Sequence, residues 1–107
     1  MIRATVYTGI TQLPPEGSSL KELYDFFERK DRYDVADMFL HIKNFLSWES
    51  WRQQYSFKKD RDPNLLNYHI ETVGRQVVLI LTFKDEETVG RFKEMAPRST
   101  FHKLVRV

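Results

Sequence analysis

Leu66-Asn67-Tyr68-His69-Ile70-Glu71-Thr72-Val73-Gly74-Arg75-Gln76-Val77-Val78-Leu79-Ile80-Leu81-Thr82-Phe83 is the stretch that decides the fold class. From Leu66 to Thr72 apolar and polar side chains alternate, the period of a half-buried strand. Gly74-Arg75 supplies turn chemistry, and Gln76–Phe83 is the most apolar segment of the chain, β-branched at its start and too short for a helix. The two runs therefore form a hairpin. Val77 to Leu81 is apolar on both faces, as a strand with neighbours on each side requires. Asn67, His69 and Glu71 line one side of the first strand, which suits a sheet edge.

Working outward toward the end of the chain, Asp85 is placed to cap a helix with Glu86 and Glu87 in its first turn. Val89, Phe92 and Met95 face inward, and Pro97 ends the helix. Phe101-His102-Lys103-Leu104-Val105-Arg106-Val107 reads as a final strand. Toward the beginning, Lys58-Lys59-Asp60-Arg61-Asp62-Pro63-Asn64 is a charged stretch with a proline stop and reads as an exposed loop. Ser47 is the expected cap of a short helix bearing Trp48, Trp51 and Tyr55. Asp34 is the expected cap of a longer one whose stripe is Val35, Met38, Phe39, Ile42 and Phe45. A helix over about 19–30 opens on Ser19 and Glu22 in capping-box spacing and carries Leu20, Leu23, Tyr24 and Phe27 on one face. Pro14-Pro15-Glu16-Gly17 and Gly9 are turn residues, and Ile2-Arg3-Ala4-Thr5-Val6-Tyr7-Thr8 is a strand.

The order is strand, helices, strand, strand, helix, strand over one α+β domain spanning 1–107. It resembles the ferredoxin-like β-α-β-β-α-β sandwich, and that resemblance implies that the first and third strands lie centrally. The first crossover, about residues 9–65, is enlarged and multi-helical. Its spare helical material either extends the helical layer or covers the other face of the sheet.

The chain has 107 residues, 41% of them hydrophobic and 14% aromatic, enough for one core. No apolar run approaches the ~18 residues of a membrane span, and the first residues lack an export signal, so the expectation is an intracellular, cytoplasmic protein with no membrane partner. With no cysteine there is neither a disulfide framework nor a thiolate nucleophile or metal cage. The net charge is +2, but it is regional: residues 1–49 hold 6 Lys/Arg against 8 Asp/Glu, and residues 50–107 hold 11 against 7. A positive face is thereby possible in the second half.

No phosphate-binding glycine loop, nucleophile elbow or zinc-binding spacing occurs, so the sequence names no catalytic residue, no metal and no cofactor. His41, His69 and His102 fall on separate expected elements, and their spacing does not make them co-ligands. Asp60 and Asp62 are spaced so that they could converge on a hard cation such as Mg²⁺, but flanked by Lys58, Lys59 and Arg61 they read as part of a solvated charged loop. The region from Trp48 to Arg61 interleaves Trp48, Trp51, Tyr55 and Phe57 with Arg52, Lys58, Lys59 and Arg61. Such residues stack on bases and neutralise phosphates, anchor protein interfaces, or serve as core stripe beside a solubilising loop.

Strand alternation suggests a second surface. If Ile2, Ala4, Val6, Val77, Leu79 and Leu81 meet the helices, then Arg3, Tyr7, Val78 and Ile80, with His102, Leu104 and Arg106, face away. RNA recognition motifs stack bases on that face of the same fold, but here Val78 and Ile80 stand where the stacking aromatics belong. Apolar residues there suit the face-to-face pairing of dimeric α+β barrels better. The sequence therefore points to a small binding or regulatory protein that acts by protein–protein contact. Trp48, Trp51, Arg52, Tyr55, Lys58, Lys59 and Arg61 form its contact region, with Arg3, Tyr7 and Arg106 as a second patch. Two alternatives are a nucleic-acid binder using the 48–61 region, and a small dimeric α+β-barrel-like enzyme or ligand-binding protein paired as a homodimer through the sheet face.

Overall fold

The computed structural model of the chain describes residues 1–54 and 66–107, with Gln53 described by its backbone only. The elements are β1 (Ile2–Tyr7), α1 (Leu20–Arg29), α2 (Tyr33–Gln54), β2 (Leu66–Val73), β3 (Gln76–Phe83), α3 (Glu86–Met95) and β4 (Lys103–Arg106). The architecture is α+β. Its four strands form a sheet in the order β2-β3-β1-β4, every neighbouring pair antiparallel, so the first and third strands are the central ones.

The hairpin closes as its sequence requires. Val73 pairs with Gln76 across a two-residue turn in which Gly74 has φ 65. A positive φ at the first turn residue alone is the type II′ pattern, which matches the twist of the flanking strands and favours glycine there. α1 opens on the expected capping box: the Ser19 hydroxyl accepts from the Glu22 N–H, and the Glu22 carboxylate accepts from the Ser19 N–H. The Ser19 N–H, and after it the Ser19 side chain, favour the charged carboxylate and hold the Glu22 pKa below its usual range. α1 closes on Asp31 at φ 58, with Arg32 N–H bonded to the Phe27 carbonyl and Asp31 N–H to that of Glu28. This is a Schellman closure with an aspartate in the position glycine usually fills. The turn is braced from the β1–α1 loop as well. A Cβ on Gly9 would lie 3.1 Å from the Arg32 guanidinium carbon, and Gly9 itself has φ 74.

Two helix boundaries differ from the sequence expectation. α2 begins at Tyr33, with the Arg32 carbonyl accepting from the Ala36 N–H, so Asp34 lies in the first turn, not at the cap. A carboxylate is favourable there as well, because it faces the positive end of the helix dipole. α2 then runs unbroken through Ser47 to Gln54. No glycine or proline interrupts residues 33–54, and a solvent-facing serine within a helix costs too little to end it.

One core joins the three helices to one face of the sheet. Ile2, Ala4, Val6, Leu66, Leu79, Leu81 and Phe83 supply the sheet side, and Leu23, Phe27, Phe39, Ile42, Phe45, Val89 and Phe92 the helix side. Phe27 stacks on Phe39 at 5.4 Å between ring centres, and Phe92 meets Phe45 and Phe83 edge-on at 5.3 and 5.6 Å. The spare helical material of the first crossover thus extends the helical layer. No helix among the described residues is long and apolar enough to cross a membrane.

Register fixes which side chains face away from the helices. Opposite Tyr7, Thr5 and Arg3 of β1 stand Val78, Ile80 and Thr82 of β3. On β4, however, Leu104 pairs with Ala4 and Arg106 with Ile2, so both lie on the helical side, and Lys103 and Val105 face away. This corrects the expectation for Leu104 and Arg106. The final strand is only four residues long, and its parity is set by pairing with β1, not by its own alternation.

Candidate functional site

The two ends of α2 distribute their side chains in opposite ways. Over the first three turns and beyond, apolar groups point inward: Val35, Met38, Phe39, Ile42 and Phe45 are buried, while Asp34, Asp37, Lys43 and Asn44 are exposed. One turn after Phe45, the position that continues the inner stripe is Glu49, a carboxylate 2% exposed. The large apolar groups of the same turns face outward, Trp48 at 40% and Trp51 at 55%, and Leu40 further up the helix is 44% exposed. At 100° per residue, residues 40, 48 and 51 fall within about a quarter turn of the helix surface.

The buried carboxylate is fully engaged. Arg91 of α3 donates through Nε to Glu49 Oε1 at 2.6 Å, and Arg52 donates through Nη2 to Oε2 at 3.2 Å. Arg91 also reaches Glu87 at 3.3 Å and the Thr88 hydroxyl at 3.4 Å. Thr88 in turn donates both its hydroxyl and its N–H to the Asp85 carboxylate, at 2.7 and 2.8 Å. Those two bonds, the hydroxyl's first, hold the Asp85 carboxyl below the usual carboxylate range. The network ties the last turns of α2 to the start of α3. It also orients Arg52, whose guanidinium carbon sits 5.8 Å from the centre of the Trp48 ring, within cation–π range.

The sequence-predicted contact residues are divided by this arrangement. Trp48, Trp51 and Arg52 share the outward surface at the end of α2. Tyr55, Lys58, Lys59 and Arg61 lie outside the described residues. Between Met38 and Gln54 the charged side chains are Lys43, Glu49 and Arg52, and Glu49 is turned inward, so among the described residues of α2 no carboxylate is exposed on that surface. The second patch does not form one surface. Arg3 and Tyr7 are exposed on the sheet face away from the helices, whereas Arg106 pairs with Glu86 at the start of α3 on the other side.

The sheet face away from the helices is polar at its rim, with Arg3, Asn67, His69, Glu71 and Lys103 all exposed. At its centre Val78 and Ile80 are 1% and 6% exposed. Neither belongs to the helix-side core.

A grouping that sequence spacing did not reveal lies at the other end of α2. His41, from the helix, and His102, from the segment before β4, line one cleft of about 340 Å³ with Asp34, Asp37, Arg98, Ser99 and Thr100, over a floor of Val6, Val35 and Met38. His102 Nδ1 accepts the Tyr7 N–H at 3.1 Å, and its ring lies 5.2 Å from the Tyr7 ring. With that lone pair occupied, the neutral imidazole carries its proton on Nε2. No group of three or more histidine, aspartate or glutamate side chains with metal-binding geometry occurs among the described residues. The third histidine, His69, is on β2, 3.4 Å from Glu71. No protein-family model, curated protein or solved structure matches the chain.

Proposed function

We propose that the chain is a small intracellular binding protein that acts by contact with another protein, and that its contact surface is the outward face of α2 from Leu40 to Arg52. One observation carries the reading. At Glu49 a carboxylate occupies the inward position while two indoles one residue before and two residues after it are left outside. Packing alone favours the reverse, since turning a tryptophan inward and a glutamate outward removes apolar surface from water and keeps a charge in it. Solvent-facing tryptophans with a stacked arginine are the residue types that dominate binding energy at protein interfaces.

The charge of the surface selects the partner's chemistry. With Lys43 and Arg52 the only ionised groups it exposes, the complementary ligand is an acidic segment with an apolar stripe, an amphipathic helix being the simplest form. The scaffold is read as a ferredoxin-like sandwich with an enlarged first crossover. Central β1 and β3, and the helical segments between β1 and β2 and between β3 and β4, support that reading.

A random-peptide display library panned in parallel on the full chain and on its Trp48→Glu/Trp51→Glu variant tests the proposal. The wild type is expected to enrich acidic sequences with leucine or aromatic residues at helical spacing, and the variant to lose them. Equal enrichment on both proteins would overturn it. So would tight binding of a random single-stranded oligonucleotide whose affinity falls steeply with salt, an outcome that assigns the surface to nucleic acid instead.

A further inference from the structure

We propose that the cleft between the first half of α2 and the Arg98–His102 segment binds a small zwitterion, specifically a free α-amino acid with an apolar side chain. α2 contributes Asp37 one turn after Asp34, and the opposite segment contributes Arg98, Ser99 and Thr100. Asp34 is partly engaged by Arg32 at 3.5 Å. Asp37 lies near enough to Tyr24 to help raise its pKa, but neither it nor His41 nor Arg98 makes a hydrogen bond or ion pair among the described residues, so an acidic and a basic residue line the same cleft without a partner. A ligand with a single charge satisfies one wall and leaves the other unmatched, whereas a zwitterion complements both.

The remaining groups narrow the class. Ser99 Oγ is shielded from solvent without a hydrogen-bond partner, a costly condition unless a partner is supplied. His102 is held by the Tyr7 N–H and so offers Nε2–H as a positioned donor. Donors thus gather on the side of Arg98, where the ligand carboxylate belongs, and its ammonium belongs against Asp37. The floor of Val6, Val35 and Met38 is apolar and suits an aliphatic or aromatic side chain. The cleft lies away from Trp48 and Trp51, so this inference stands or falls independently of the contact surface.

The test uses the full chain labelled with ¹⁵N-histidine and follows the ring resonances during titration with L-leucine, leucinamide, N-acetyl-leucine and inorganic phosphate. Leucine is expected to shift His41 and His102 and to leave His69 unmoved. Leucinamide lacks the carboxylate and N-acetyl-leucine the ammonium, and each is expected to bind at least about tenfold more weakly, the usual scale for losing one charge-assisted contact. Both wall residues are exposed, so Asp37→Asn and Arg98→Gln are compatible with folding. Asp37→Asn should weaken leucine binding while leaving N-acetyl-leucine unchanged, and Arg98→Gln should do the same with leucinamide as the unchanged ligand. Phosphate or N-acetyl-leucine binding as tightly as leucine would overturn the proposal, as would unmoved His41 and His102 resonances with both leucine and phenylalanine near their solubility limits.

Discussion

The first and last turns of α2 belong to one uninterrupted helix, yet they obey opposite burial rules. Around Phe39 the inner stripe is hydrocarbon and, Leu40 apart, the outer surface is polar, with Asp37, Lys43 and Asn44 exposed. Around Glu49 the inner position is a carboxylate clamped by Arg91 and Arg52, and the outer surface carries two indoles. A helix serving only to cover a sheet would keep the first pattern to its end. The reversal therefore marks the last turns as the part of α2 that does something other than pack. The ion pair lets them do so without losing attachment to α3, because it supplies a directional link where side-chain volume would otherwise be needed.

The largest effects are expected at the two inner positions of α2. Phe39→Ala removes a fully buried ring that stacks on Phe27 and is expected to cost about 3–5 kcal/mol in chemical denaturation. Glu49→Ala leaves Arg91 with no partner on α2. Breaking a buried pair costs about 3–5 kcal/mol, and the partial exposure of Arg91 and Arg52 reduces the expectation here to about 2–3. The two positions should then separate in their double variants. Glu49→Leu with Arg91→Met removes both charges together and is expected to fall within about 1 kcal/mol of wild type, since hydrophobic replacement of an intact buried pair is often neutral. If Glu49→Ala alone were equally harmless, the clamp would not be holding the end of α2.

A smaller effect sits at the far side of the same network. Asp85 caps α3, and Asp85→Ala is expected to cost about 1 kcal/mol at neutral pH. The folded-state pKa of this carboxyl is lowered by the two Thr88 bonds. Its contribution is therefore complete above the ordinary carboxylate range and is lost as the pH falls through the lowered value. The denaturation midpoints of wild type and variant should accordingly converge in acid and stay apart at neutral pH. A gap independent of pH would show that the cap acts through Thr88 packing and not through the charge.

Much of the fold was legible because its signals are local. Gly74 at a two-residue turn, Ser19 with Glu22, Asp85 ahead of Glu86 and Glu87, and the doubly apolar Val77–Leu81 each act within a few residues of themselves. The misreadings have a different origin. Ser47 carries a cap signal with no breaker beside it, and packing of Phe45 and Ile42 carries the helix straight through. The inward turn of Glu49 depends on Arg91, 42 residues away. The side of the sheet occupied by Arg106 depends on a four-residue strand pairing with β1 at the opposite end of the chain. His41 and His102 meet in one cleft only because β4 returns beside β1, which brings the Arg98–His102 segment against α2. The interleaved tryptophans and arginine at 48–52 were visible as a candidate site in the sequence. What the sequence did not carry is that they face outward, since the same spacing describes a core stripe equally well.

The stability of the Trp48→Ser/Trp51→Ser double variant tests that outward assignment most directly. With both indoles exposed at the end of α2, the variant should unfold within about 1 kcal/mol of wild type, while the acidic amphipathic peptides selected by the wild-type chain no longer bind it. A loss of about 3–5 kcal/mol, the cost of emptying a core site of an aromatic ring, would contradict the account and return both tryptophans to the interior of the fold.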